Sequence, residues 1–196
     1  NAVGIDIACG VIARQTSLAS IDIESLKIIM GGIRREIPVG FNRHREPQLW
    51  EGFDRAPDLE IIQQELASAR TQLGTLGGGN HFIEIQQGDD GFVWLMIHSG
   101  SRNFGLKTAK RYHEAALILC RKWHSSLPDK ELAFLPIDTK EGKHYFEAMG
   151  FCMDFAHASR ELMMSRLETI VSEVTGANFG RSINVHHNYA AMENHF

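Results

Sequence analysis

The sequence predicts a mixed α/β (α+β) fold, because strand and helix periodicities both occur along one chain. Apolar and polar residues alternate in three stretches, and a fourth short stretch is almost entirely apolar. In four longer stretches, apolar residues recur every three or four positions. The chain has 196 residues, of which 43% are hydrophobic and 22% are charged. These values are typical of a globular protein with a substantial core.

Four strands are predicted from the first kind of pattern. Their bounds are Ala2–Gly10, His81–Gln86, Phe92–His98 and Ser182–His187. The third is nearly all apolar, which indicates a strand that is buried on both faces. The turn signal at Gly88–Gly91 joins the second and third strands into a hairpin.

Four helices are predicted from the second kind of pattern. Their bounds are Ile21–Glu36, Asp58–Leu73, Leu106–Trp123 and Lys140–Thr175. Ser20 is a suitable N-cap for the first helix, and Arg34 and Arg35 lie in its last turn, where cations are favourable. Gly150 is a point at which the long fourth helix could break.

A run of three glycines, Gly77–Gly79, stands directly before Asn80 and His81 at the entry to the second strand. A backbone without Cβ atoms can take positive φ angles and can approach a ligand closely. The run is therefore either an ordinary turn or part of a site that holds a metal ion or a phosphate. The sequence alone leaves both interpretations open.

His98 ends the third strand and is followed by Ser-Gly-Ser-Arg and then a helix. An anion site at a helix N-terminus has this construction. In one interpretation Ser99, Ser101 and backbone N–H groups hold a phosphate, and Arg102 pairs with it bidentately. In the other, Ser99 and Ser101 cap the helix. The two interpretations are compatible.

Two further segments carry residues that can ligate a metal ion. Asp6 and Cys9 are three positions apart at the end of the first predicted strand, so a carboxylate and a thiolate can converge on one point. The alternative is a turn aspartate beside a buried cysteine. His186 and His187 are neighbours on the last strand, so one can point into a site while the other points away.

Composition excludes several classes of protein. The formal net charge of −4 provides no general attraction for nucleic acid, so an RNA contact would need local arginines such as Arg43, Arg45 and Arg55. These arginines lie in a polar loop, residues 41–57, which is either solvated or a basic surface that contacts phosphate. Three widely spaced cysteines make no disulfide framework, which favours a reducing, cytoplasmic location. No apolar run is long enough for a membrane span, so no membrane partner is expected.

The two ends of the chain also carry an expectation. Asn1 stands close to a predicted strand, and Phe196 follows another predicted strand closely. We expect the chain to be an internal piece of a longer protein.

Four segments of the sequence resemble the RtcB-type RNA ligases. They are VGIDIACG, QLGTLGGGNHFIEI, HSGSRNFG and HHNYAAMENHF, in the order and approximate spacing of that family. The second and third are highly specific, and the resemblance covers essentially the whole chain. Two positions depart from the family pattern, which commonly has glycine where this chain has Ala8 and Asn103. The first departure affects turn geometry.

The resemblance implies an RtcB-like fold, in which mixed β-sheets flanked by helices surround a centre of two Mn²⁺ ions. Residues 1–196 would be the central part of one catalytic domain, without the family's N-terminal and C-terminal segments. Cys9 would bridge the two ions. Asp6 and His81 would complete the ligands of one ion, and His98 and His187 those of the other.

The resemblance also implies a GTP-dependent reaction. Asn80 would contact the GTP phosphates, Glu84 would serve the nucleotide site, and Arg102 would contact a phosphate of nucleotide or RNA. GTP would guanylylate a histidine, GMP would pass to an RNA 3′-phosphate, and a 5′-hydroxyl would displace it. That histidine is expected beyond Phe196, so residues 1–196 alone should bind metal without ligating.

The expected substrates are tRNA halves or other broken RNA, and an activating protein partner is compatible with the family. Two rival functions stay open at this point. One is a metal-dependent phosphoesterase that uses the same ligands with water as the nucleophile. The other is a non-catalytic RNA-binding relative.

Overall fold

The computed structural model describes residues 3–194, and its regular elements combine α-helices with one β-sheet. In chain order the elements are β1 (Gly10–Thr16), α1 (Ile23–Glu36), α2 (Glu60–Gln72), β2 (Phe82–Gln87), β3 (Val93–Ser99), α3 (Arg102–Lys122), α4 (Lys140–Thr175) and β4 (Phe179–His186). Short 3₁₀ helices cover Glu51–Arg55 and Lys130–Leu132. The mixed α/β (α+β) fold predicted from the sequence is confirmed.

The sheet has four antiparallel strands in the order β2-β3-β1-β4. Gly10 of β1 is opposite Ser99 of β3 on one side and His186 of β4 on the other. Phe82 of β2 is opposite His98. One edge of the sheet therefore collects the first residues of β1 and β2 and the last residues of β3 and β4.

Helix α4 forms the centre of the hydrophobic core. Its 36 residues pack against α1, α3 and three strands of the sheet. Met149 and Phe155 lie in a core cluster shared with α2 and α3, and Met163 and Leu167 lie in a second cluster against the sheet and α1. The helix is unbroken at Gly150, because a glycine costs a helix only about 1 kcal/mol and core packing on both sides outweighs it.

The first predicted strand, Ala2–Gly10, is wrong. Ala2 lies outside the described residues, and residues 3–9 form a series of turns, with β1 starting only at Gly10. The Cys9 N–H donates to the Asp6 carbonyl at 3.1 Å, and Ala8 has a φ of 60°. The apolar alternation was misleading, because Ile7 is fully buried whereas Ile5 is 61% exposed.

The helices begin at slightly different residues from those predicted. Asp22, and not Ser20, caps α1, since its side chain accepts a hydrogen bond from the Ser25 N–H at 2.9 Å. Helix α3 starts four residues earlier than predicted, at Arg102. Over residues 3–194, every helix is either too short or too polar to span a lipid bilayer.

Candidate metal centre

Four of the predicted ligands meet at one edge of the sheet. Cys9 directly precedes β1, His81 directly precedes β2, His98 is the penultimate residue of β3, and His187 directly follows β4. The antiparallel pairing places all four positions at the same edge. Asp6 reaches this edge from the turn before Cys9.

The donor atoms of these five side chains lie close together. Cys9 Sγ is 3.0 Å from His98 Nε2 and 3.9 Å from His81 Nε2. His81 Nε2 is 2.9 Å from Asp6 Oδ2, and His98 Nε2 is 3.3 Å from His187 Nε2. They divide into two groups, each with its donors within 4.8 Å of one another, namely Asp6, Cys9, His81 and Cys9, His98, His187. Cys9 belongs to both groups.

Two of the imidazoles are oriented by backbone carbonyls. His81 Nδ1 lies 3.0 Å from the Leu76 oxygen, and His98 Nδ1 lies 3.1 Å from the Asn80 oxygen. A carbonyl oxygen can only accept, so Nδ1 of each ring carries a proton. The Nε2 atoms of both rings face the cluster, and that of His81 lies 2.9 Å from the Asp6 carboxylate, so an ion bound there would replace a proton between these two atoms. Burial lowers the pKa of His98, which keeps its ring neutral at pH 7. Histidines that bind metal ions in proteins are commonly held in this way.

The electrostatics of the cluster favour a bound cation. Burial, followed by the negative charge of Asp6, raises the pKa of the Cys9 thiol to about 12. The thiol therefore keeps its proton at pH 7 unless a positive charge compensates the thiolate. A coordinated metal ion supplies that charge and deprotonates the thiol. One carboxylate, one sulfur and three imidazoles form a donor set that suits divalent transition metals.

Asn188 holds the turn that carries Asp6. Its Nδ2 donates to the Asp6 carbonyl at 2.5 Å and to the Gly4 carbonyl at 3.2 Å, and its Oδ1 accepts from the Gly4 N–H at 2.8 Å. Its backbone oxygen accepts from the Ala8 N–H at 2.8 Å. Sequence reasoning assigned no role to Asn188, although its position directly after His187 was a usable signal.

Neither predicted role for Ser99 and Ser101 is found. Both side chains are fully buried, and their hydroxyl groups donate to backbone carbonyls, those of Leu76 and Ile7 respectively. Ser101 occupies the N-cap position of α3 without a side-chain capping bond. These hydroxyls tie the glycine-rich turn and the Asp6 turn to the end of β3, which leaves them unavailable to a phosphate.

Within the glycine run, Gly77 has the strictest steric requirement. Its φ is 95°, and a Cβ there would lie 1.8 Å from Arg102 Nη1 and 2.8 Å from His81 Nδ1. Gly78 does not have a positive φ, and a Cβ there would meet the Gly40 Cα at an ordinary 3.7 Å. Gly77 therefore lets the chain pass close to a candidate ligand.

We expect Gly77→Ala to destabilise the protein by about 2 kcal/mol, from backbone strain and displacement of Arg102. The Gly78→Ala control should change the free energy of unfolding by less than about 0.5 kcal/mol. Urea unfolding monitored by circular dichroism measures both changes. Equal effects of the two substitutions would contradict this assignment.

The three predicted nucleotide-binding residues border the cluster to different extents. The Asn80 side chain is exposed beside His81, while its backbone oxygen orients His98. The exposed side chain of Glu84 lies further along β2 and accepts a hydrogen bond from Gln86. Arg102 donates to Thr75 Oγ1 at 3.0 Å and to the Gly40 carbonyl at 2.9 Å, which uses two of its five N–H donors. Their nucleotide contacts remain predictions.

Sequence reasoning also missed Arg160 of α4, whose large side chain is fully buried behind the cluster. A signal for it exists in the sequence. Arg160 follows Phe155, Ala156 and Ser159 and precedes Met163 on the helix, and these neighbours are all fully buried. An arginine among buried positions at helical spacing must find polar partners inside the protein.

The fold and this cluster together define an α+β protein with a candidate binding site for transition-metal ions. Comparison with known proteins is more specific. The family profile described as tRNA-splicing ligase RtcB matches residues 1–196. The chain belongs to the RtcB family.

Curated relatives agree with this assignment. The tRNA-splicing ligase RtcB of Pyrobaculum aerophilum is 31% identical over 245 residues, covering 98% of this chain and 51% of the relative. The RNA-splicing ligase RtcB of Escherichia coli K12 is 31% identical over 220 residues, covering 100% of this chain and 54% of the relative. The tRNA-splicing ligase RtcB of Archaeoglobus fulgidus is 30% identical, covering 89% and 41%. The chain thus spans about half the length of these relatives.

Proposed function

We propose that the protein is an RNA ligase that joins RNA ends bearing a 3′-phosphate or 2′,3′-cyclic phosphate to 5′-hydroxyl ends, with GTP as co-substrate and two Mn²⁺ ions as cofactors. Membership of the RtcB family supports the reaction class. The observation that carries the proposal is the convergence of five candidate metal ligands in two groups that share Cys9. The substrates would be tRNA halves or other broken RNA.

Two of the candidate ligands are held rigidly, which suits a site that must keep its geometry during catalysis. Asp6 and His81 would hold one ion together with Cys9, and His98 and His187 would hold the other. Bound divalent ions at this place would neutralise charge on phosphoryl oxygens during an in-line displacement. The carbonyl contacts of His81 and His98 fix the directions of their Nε2 atoms before any ion arrives.

The nucleotide would lie against the glycine-rich turn. The exposed carboxamide of Asn80 can donate to GTP phosphate oxygens, and Arg102 keeps donors that Thr75 and Gly40 do not use. Burial lowers the pKa of Arg102, and the negative charge of Asp6 opposes this effect. Glu84 is proposed to serve the same nucleotide from β2.

The covalent steps would use a histidine outside this cluster. GTP guanylylates that histidine with release of pyrophosphate, the RNA 3′-phosphate takes the GMP, and the 5′-hydroxyl then displaces GMP to form the phosphodiester. His81, His98 and His187 are unsuited to this role, because their Nε2 atoms face one another and the Cys9 sulfur.

The test is ligation of two RNA fragments, one with a 3′-phosphate and one with a 5′-hydroxyl, by the full-length protein with GTP and Mn²⁺. We expect a joined product and a GMP-labelled protein, both lost in His187→Ala and retained in the matched control His144→Ala. GTP-independent hydrolysis of RNA would instead indicate a phosphoesterase, and RNA binding without turnover or metal dependence a non-catalytic relative. Either result would overturn the proposal.

A further inference from the structure

Arg160 carries a positive charge inside the protein. Its side chain is fully buried, yet no ion pair involving Arg160 is formed within residues 3–194. Burying a guanidinium is costly unless its N–H groups are satisfied. We therefore ask which segments of the chain the hydrogen bonds of Arg160 hold together.

The hydrogen-bond acceptors of Arg160 are neighbours of the candidate metal ligands. Nη1 donates to the Ala8 carbonyl at 3.1 Å and to the Ser99 carbonyl at 3.0 Å. Nη2 donates to His186 Nδ1 at 3.1 Å, and Nε donates to Asn184 Oδ1 at 2.8 Å. The first three acceptors directly adjoin the three ligands of one group, which are Cys9, His98 and His187.

A glycine leaves room for the guanidinium at the point where these segments meet. Gly10 is the residue that β1 places between Ser99 and His186. A Cβ on Gly10 would lie 3.1 Å from Arg160 Cζ and 2.2 Å from the Val185 carbonyl oxygen. The missing side chain of Gly10 lets one planar group reach the start of β1, the end of β3 and the end of β4 together.

The second group of ligands is held by other contacts. His81 is oriented by the Leu76 carbonyl, and the turn of Asp6 is held by Asn188 and by the Ser101 N–H, which donates to the Ile7 carbonyl at 3.3 Å. Arg160 makes no hydrogen bond to any of these residues in the part of the chain that the structure describes. Arg160 thus contacts the neighbours of all three ligands of one group but of only Cys9 in the other, although the Leu76 carbonyl accepts hydrogen bonds from both His81 and Ser99.

We infer that Arg160 is the positioning residue of the metal centre, and that its planar guanidinium fixes Cys9, His98 and His187 relative to one another. This inference rests on the proposed metal binding. It has a specific consequence, since loss of the guanidinium should weaken the ion held by Cys9, His98 and His187 more than the ion held by Asp6 and His81. A purely structural arginine would show no such preference.

The test compares Arg160→Lys with Arg166→Lys in the full-length protein. Lysine keeps the charge but cannot reproduce a planar fork of donors. Arg166 is a matched control on the same helix, because it also makes several hydrogen bonds, to Gly74, His44 and Gln48, which are not neighbours of the candidate ligands. The probes are Co²⁺, followed by its thiolate absorption band, and Mn²⁺, followed by electron paramagnetic resonance.

We expect Arg160→Lys to lower the affinity for one of the two bound ions by about 10- to 100-fold and the affinity for the other by less than about threefold. Arg166→Lys should lower the urea midpoint but change neither ion by more than about threefold. The inference would be overturned if Arg160→Lys lowered the affinity for both ions equally. Unchanged affinity for both ions in Arg160→Lys would also overturn it, as would an equal loss of affinity in Arg166→Lys.

A milder variant covers the case in which Arg160→Lys does not fold. Asn184→Ala removes the acceptor of Arg160 Nε, together with a hydrogen bond from Asn184 Nδ2 to Glu161 Oε1 at 2.9 Å, and leaves the guanidinium in place. It should weaken the same ion selectively, by about 3- to 10-fold. Failure of the wild-type protein to bind Co²⁺ or Mn²⁺ would defeat the metal centre itself. Two ions bound normally by wild type and by every folded Arg160 and Asn184 variant would defeat only the role of Arg160.

Discussion

Replacing Cys9 by alanine is expected to abolish the binding of both metal ions, with each affinity falling by more than about 100-fold. The reason is geometric, since Cys9 Sγ is the donor that the two groups share among residues 3–194. Cys9 is a small buried residue, so the substitution should change the free energy of unfolding by only about 1 kcal/mol. Isothermal titration with Mn²⁺ gives the stoichiometry and affinity.

Substituting one histidine from each group in turn distinguishes a centre that binds two ions from a site that binds one. His81→Ala and His187→Ala should each leave one ion bound, because each removes a donor from one group only. His144→Ala, a histidine on α4 outside both groups, serves as the control and should bind two ions. A wild-type stoichiometry of one, or a Cys9→Ala variant that retains an ion at full affinity, would refute the shared-sulfur arrangement.

Gly10→Ala is expected to have the largest effect on stability, with a loss of about 3 kcal/mol or more. The new Cβ would lie 2.2 Å from the Val185 carbonyl oxygen and 3.0 Å from the His186 Cα. Both are backbone atoms of β4, so relief requires the two strands to separate. Arg160 Cζ, at 3.1 Å from the new Cβ, is a third close contact. The change is measured from the urea dependence of unfolding.

Gly31→Ala is the matched control. Gly31 lies within α1, and a Cβ there would have no neighbour within 4 Å. Alanine is favoured over glycine inside helices, so this substitution should stabilise the protein by about 0.5–1 kcal/mol. Should Gly10→Ala unfold at the same urea concentration as wild type, the close approach of β1 and β4 would be wrong.

Local pattern was a good guide where an element buries one continuous face. The helix predicted over Lys140–Thr175 agrees residue for residue with α4, and the hairpin of β2 and β3 lies where alternation and the turn at Gly88–Gly91 placed it. The pattern failed at residues 3–9, where the backbone partners come from distant residues such as Asn188. Alternation of apolar residues cannot distinguish a strand from a turn in which Ile7 is buried while Ile5 is exposed.

The candidate site shows the same division. The residue types that could ligate a metal were recognisable from the sequence, because imidazoles, a thiolate and a carboxylate stood at the ends of predicted elements. The capping interpretation of Ser99 and Ser101 failed, because their hydroxyl groups are taken by the carbonyls of Leu76 and Ile7. Those acceptors come from other parts of the chain, which local sequence does not report.

The sequence by itself determined the periodicity of the elements, the family, and the chemistry of the five candidate ligands. Tertiary structure alone decided that their donor atoms form two groups around one sulfur, and that Arg160 and Asn188 support them. The physical reason is that periodicity and residue chemistry are local properties of the chain. Distances between Cys9, His98 and His187 depend instead on strand pairing and on how α4 packs behind the sheet.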